Sequence, residues 1–236
     1  MDRQAANCCG ARADCSGCEA RPLALCGALD PADVMVMSSI AQPRKLAAGR
    51  QLFQEGDPAD DVFTLTEGML KLYKLMPDGR RQITGFMVPG DFIGLAYGQN
   101  YVYSAEAVTA TAACRFKRSA LLAKMVEYPE LEHRLLSLAS NELAAAQAQM
   151  LLLGRKSARE RLASFLLGIA ERRGIAEGEA MPLPMSRGDI ADFLGLTIET
   201  VSRAFTIMRK ERLIALPDKH SVTITDGDAL RDAAGD

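Results

Sequence analysis

The chain has 236 residues, 48% of them hydrophobic and 25% charged, and a formal net charge of −2. That composition is ordinary for a globular protein with one large domain or two modest ones. It excludes a uniformly basic nucleic-acid coat and leaves room for local positive charge. No run approaches the length of a membrane span, and polar Met1–Gly10 lacks a signal-peptide core, so a cytoplasmic location without membrane contact is expected.

Residues 1–28 hold every cysteine but Cys114. In a reducing compartment, clustered cysteines point to metal or redox chemistry rather than to disulfides. Leu29–Ile40 reads as a short helix with Asp30-Pro31 at its start. From Pro43 to Phe116 short β-type runs (Val62–Leu65, Leu70–Tyr73, Gln82–Phe86) alternate with turn signals such as Glu67-Gly68 and Asp78-Gly79. That spacing predicts a sandwich or a rolled antiparallel barrel.

Ser119–Glu127 reads as a short helix, and Pro129 opens a long one. On it Leu136, Ala139, Leu143, Ala146, Met150 and Leu153 recur at alternating spacings of three and four. That is the seam of a two-stranded coil, and a homodimer interface is expected there. Gly154 interrupts the pattern as a hinge would. Arg159–Arg173 follows as an amphipathic helix and Glu177–Pro184 as a loop.

Ser186 to Arg203 predicts helix, tight turn, helix, with Ser186 and Thr197 as caps and Gly195 in the turn. Glu199, Ser202 and Arg203 share one face of the second helix. They offer an acceptor for cytosine, a small hydroxyl and a bidentate donor for guanine, which is what a major-groove reader needs. Thr197 and Thr200 stand beside them as further DNA-binding candidates, and Arg187 and Arg209 are candidates for phosphate contacts. The run Leu213–Leu216, a Pro217–His220 turn and Ser221–Ile224 form a hairpin, making the unit a winged helix-turn-helix. The expected organisation is 1–28 cysteine-rich, 29–127 a β-domain, 128–154 the seam helix and 155–236 the DNA-binding domain. The fold class is α+β.

Cys15, Cys18 and Cys26, spaced C-x2-C-x7-C, with Cys114 at the end of the last β-run, form a three-plus-one thiol set. Such a set suits an iron–sulfur cluster and equally a four-cysteine zinc site. No catalytic residues emerge: His133 and His220 have no evident triad partner, and there is no phosphate-binding glycine loop.

Arg187-Gly188-Asp189-Ile190, Leu194-Gly195-Leu196-Thr197 and Glu199–Arg203 resemble the winged helix of the CRP/FNR superfamily of bacterial transcription regulators, and the likeness extends over essentially the whole chain. The β-region then corresponds to that family's β-roll and the long helix to its dimerisation helix. Resemblance to the FNR branch implies a [4Fe–4S] cluster on Cys15, Cys18, Cys26 and Cys114, with Cys8 and Cys9 surplus. It also implies oxygen-gated binding to palindromic TTGAT-type operators and contact with RNA polymerase through Pro77–Arg81, a loop that reads equally as a solvated hairpin tip. The cyclic-nucleotide branch has an Arg where this chain has Tyr103, so no cyclic nucleotide is expected. At the place of Ala146 the best-known FNR carries an acidic residue. The apolar seam here therefore implies a dimer less dependent on the cluster. The alternative is control by thiol redox, zinc or expression level.

Overall fold

The structure is a computed structural model that describes residues 15, 17–95 and 98–235. The chain divides into two compact units. The first takes in residues up to Lys74 together with Gly85–Leu143; the second takes in Leu75–Thr84 and everything from Ala144 onward.

The first unit begins with tight turns, a 3-10 turn at Leu25–Ala28 and the helix α1, Val34–Ile40. The helix starts later than Asp30-Pro31 suggested: the Asp33 N–H bonds the Asp30 carbonyl in a turn that precedes it. Eight strands follow: β1 Gln42–Leu46, β2 Gln51–Phe53, β3 Asp61–Glu67, β4 Leu70–Leu75, β5 Arg81–Met87, β6 Phe92–Ile93, β7 Ser104–Ala107 and β8 Thr111–Lys117. They form two four-stranded sheets, β1-β8-β3-β6 and β2-β7-β4-β5.

Alternation along the strands explains the core. Leu70, Leu72, Ala105 and Ala107 join Phe53, Phe63, Leu65 and Ile93 in one buried cluster. On the opposite side of β4 and β7, Lys71 is buried and pairs with Glu106 at 3.0 Å. A second cluster gathers Leu25, Leu29, Met37, Val62 and Phe116 with residues of two helices, α2 (Arg118–Glu127) and α3 (Pro129–Arg155).

Helix α3 has 27 residues and runs through Gly154, so that glycine is no hinge in this structure. A Cβ there would meet nothing within 4 Å, and an open helical position of this kind tolerates glycine at a modest cost. In the second unit, α4 (Ala158–Arg172) starts at a capping box of Ser157 and Glu160. The segment expected as a loop contains a short strand, β9 (Ala180–Pro182), which pairs with β11 (Ser221–Ile224); β10 (Ile214–Ala215) lies on the other side of β11. Two helices, α5 (Arg187–Leu194) and α6 (Ile198–Lys210), lie between β9 and β10 in the chain, and α7 (Gly227–Ala234) follows β11. The N-cap of α7 is Asp226, whose carboxylate accepts the Ala229 N–H, and its Leu230 and Ala234 are buried.

Candidate nucleic-acid interface and thiol neighbourhood

The helix-turn-helix is built by local chemistry. The Ser186 hydroxyl accepts the Asp189 N–H at 3.0 Å, and the Asp189 carboxylate reaches back to the Ser186 N–H, which starts α5. Gly195 ends α5 with φ +62; a Cβ there would sit 3.2 Å from Leu153 Cδ2. Thr197 starts α6, its hydroxyl accepting the Thr200 N–H at 3.2 Å and lying 3.0 Å from the Thr200 hydroxyl. Thr197 and Thr200 thus serve as a cap.

Val201, Ala204, Phe205 and Met208 bury one side of α6, while Glu199, Ser202 and Arg203 are exposed on the other. Among the described residues, Glu199 and Arg203 form no ion pair despite their spacing of four. The Glu199 carboxyl is held below its ordinary range first by its own backbone N–H and then by the Thr197 hydroxyl, with Arg203 the smallest contributor. The Arg187 guanidinium lies over the Phe205 ring, 3.3 Å from its centroid, and burial lowers its pKa. Such a cation–π contact fixes the side chain without consuming its donors. Arg187, Arg209, Lys219 and His220 line one cleft between the helices and the wing turn.

Two arginines hold this unit together: Arg161, not flagged from the sequence, and Arg81, read there only as part of the Pro77–Arg81 loop. Arg161 donates to the carbonyls of Lys156, Leu194 and Leu153 at 2.8, 2.8 and 2.9 Å, and so caps the ends of both α3 and α5. Arg81, at the start of β5, donates to Asp192 and Asp189, each at 2.8 Å. Arg81 is therefore turned onto α5. Asp78 and Arg80 pair with each other at the hairpin tip.

The four cysteines singled out by spacing become neighbours. Cys15 is buried, and Cys18, Cys26 and Cys114 are half-buried. Cys114 lies in β8 opposite Pro43 and Thr64. It packs with Cys15 and Val34 in one cluster and joins Cys26 and Leu25 in another. Burial, reinforced by Cys15 and Cys18, pushes the Cys26 thiol up to about 11. The thiols do not converge on one centre: among the described residues, no three potential ligands form a metal-holding group. Apolar surroundings favour separate neutral thiols, and only a bound cation reverses that preference. Cys8 and Cys9 lie outside the described residues.

On α3, Leu131 is buried, and Leu135 and Leu138 pack into the cluster that contains Cys26. The opposite face carries Leu136, Leu143 and Met150, exposed by 67, 60 and 71%, seven residues apart. Ala146 is exposed and Ala139 half-buried on the same face. Leu153 departs from it, being half-buried beside Gly195. In the β-roll, the Tyr103 hydroxyl accepts the Gly94 N–H at 3.1 Å, and burial raises its pKa.

Residues 160–233 match the Crp-like helix-turn-helix domain, and residues 43–128 match the cyclic nucleotide-binding domain. The transcriptional activatory protein AadR of Rhodopseudomonas palustris is 48% identical over 204 residues, 85% of each chain. The chain belongs to the CRP/FNR family, in its FixK/FNR branch. The transcriptional activator protein FnrL of Cereibacter sphaeroides is 37% identical over 94% of this chain and 92% of its own. The solved structure of FixK2 from Bradyrhizobium japonicum superposes with a TM-score of 0.78 at 36% identity, covering 82% of this chain and 97% of that one. CRP/FNR architecture accounts for the order found here: β-roll, long helix, winged helix-turn-helix. No helix among the described residues is long and apolar enough to cross a membrane.

Proposed function

We propose that this CRP/FNR regulator works as a homodimer on palindromic TTGAT-type operators and that a [4Fe–4S] cluster held by Cys15, Cys18, Cys26 and Cys114 gates its DNA binding according to oxygen. The observation that supports the sensing half is that Cys114, from β8, packs with Cys15 in one apolar cluster and with Cys26 in another, while Cys15 and Cys18 both act on the Cys26 thiol. Four soft donors suit a cluster, and thiolate formation waits on the metal. When bound, the cluster supplies an oxygen-labile iron centre.

The rest of the function is carried by the chain's own residues. Glu199, Ser202 and Arg203 present their polar groups to base edges, and Arg187 and Arg209 approach phosphates. Leu136, Ala139, Leu143, Ala146 and Met150 offer an apolar stripe to a second copy, and two copies suit a two-fold operator with half-sites about one helical turn apart. Leu75 and Met76, exposed beside the Asp78–Arg80 pair, give the hairpin tip a surface for RNA polymerase. In the β-roll, Tyr103 supplies no positive charge for a cyclic phosphate, and its hydroxyl is committed to Gly94.

Anaerobic purification with iron and sulfide analysis, followed by operator binding before and after air, tests this reading. A brown protein that bleaches in air and loses specific binding supports it. A colourless protein with zinc moves the chain to the structural-zinc alternative. Unchanged specific binding after cluster loss refutes the sensing half and leaves the DNA half intact.

A further inference from the structure

One side chain joins the cysteine loop to the seam helix. Residues 18–29 form a run of turns whose N–H groups bond the carbonyls of Cys18, Ala20, Arg21, Ala24 and Cys26. Among the described residues, the Pro22 and Leu23 carbonyls receive none of these bonds. Arg134 of α3 supplies the missing donors: its guanidinium reaches the Leu23 carbonyl at 2.7 Å and those of Pro22 and Ala24 at 3.4 Å each. The chain is tight there. A Cβ on Gly27 would sit 2.5 Å from the Arg21 carbonyl, and one on Gly90 would sit 2.5 Å from Leu23 Cβ. These three carbonyls lie between Cys18 and Cys26, so the guanidinium grips the part of the loop that the two thiols bracket.

The same stretch of α3 faces two ways. Leu131, Leu135 and Leu138 pack with Leu25, Cys26 and Cys114. Leu136, two residues past Arg134, belongs to the exposed stripe. Any change in how Cys18 and Cys26 are held would move the chain between them, and with it the three carbonyls that Arg134 grips and part of the apolar seat of α3.

We infer that Arg134 is the positioning residue through which the state of the cysteine loop reaches α3 and, through α3, operator affinity. This inference rests on the cluster reading above. It assigns no ligand role to Arg134. The guanidinium acts on backbone carbonyls, and lysine keeps enough of that chemistry to stand in partly.

The test uses the full chain, prepared anaerobically, with R134A, R134Q and R134K. The readouts are iron and sulfide content and operator affinity of the cluster-loaded and cluster-free forms. Arg134→Ala should keep its iron and sulfide while the ratio of loaded to cluster-free affinity falls about tenfold, the size expected for lost charged hydrogen bonds. Arg134→Gln keeps the aliphatic stem and should show the same loss with less risk to folding. Arg134→Lys should recover part of the ratio. Alanine and glutamine variants with the wild-type ratio overturn the inference and leave the cluster reading standing. Variants that lose iron and sulfide also overturn it, because Arg134 would then be needed to hold the cluster rather than to relay its state. A wild-type chain without iron and sulfide overturns the inference and the cluster reading together.

Discussion

Arg203 and Arg187 sit on the same two-helix unit and are expected to fail differently. Arg203 is exposed and unpaired with Glu199, so Arg203→Ala should cost about 1–3 kcal/mol per half-site and relax the base preference at one position. Operator variants measured side by side check this; a loss uniform across sequences would reassign Arg203 to phosphate. Arg187 is stacked on Phe205. Arg187→Ala should weaken all sequences alike, flatten the salt dependence of binding by about one phosphate contact and also lower the melting temperature. Cys26 carries a pH prediction. Its folded thiol titrates at about 11 against an ordinary 9.0. Between those values the unfolded chain binds fewer protons than the folded one, so the cluster-free protein should lose stability as pH rises from about 9 to about 11. Replacing Cys26 with Ser should remove that segment of a stability–pH curve.

At the scale of elements, the Gly195 turn and the α3 stripe make the sharpest claims. Gly195→Ala forces a left-handed conformation on a side chain that also meets Leu153. It should cost at least about 1–2 kcal/mol in thermal unfolding and misaim α6. Ala146→Asp places a charge on the apolar stripe of α3. It should weaken self-association and make it depend on the cluster, whereas the wild-type chain should remain dimeric at micromolar concentration after air exposure. Sedimentation of the aerated wild-type chain as a monomer would refute that. The helices and the winged motif were legible because long 3.6-residue periodicity, capping residues and a Gly turn all agree locally. β9 and α7 were not. Ala180–Pro182 is too short to show alternation and is a strand only because β11 lies beside it, and α7 is a brief helix whose apolar pair is Leu230 and Ala234. Gly154 misled for the opposite reason: an exposed helical glycine need not break a 27-residue helix.

Across the whole molecule, spacing in the chain singled out four cysteines, but not their neighbours. Cys114 becomes a neighbour of Cys15 and Cys26 only when β8 is laid between β1 and β3. The contacts of Arg81 and Arg134 were hidden for the same reason. Each reaches residues more than a hundred positions away, and no periodicity or motif marks such a contact. The three carbonyls bonded by Arg161 lie at and just past the C-terminal ends of α3 and α5, and that fixes where the protein can be dissected. A fragment starting at Ser157 would strand Arg161 without Leu153 and Lys156 and uncover the Gly195 turn. One starting at Ala144 would keep them, yet it would still leave Asp189 and Asp192 without Arg81. The shortest autonomous winged unit should therefore keep the end of α3 that holds Leu153 and should unfold at lower temperature than the intact chain, by a margin that Asp192→Asn narrows.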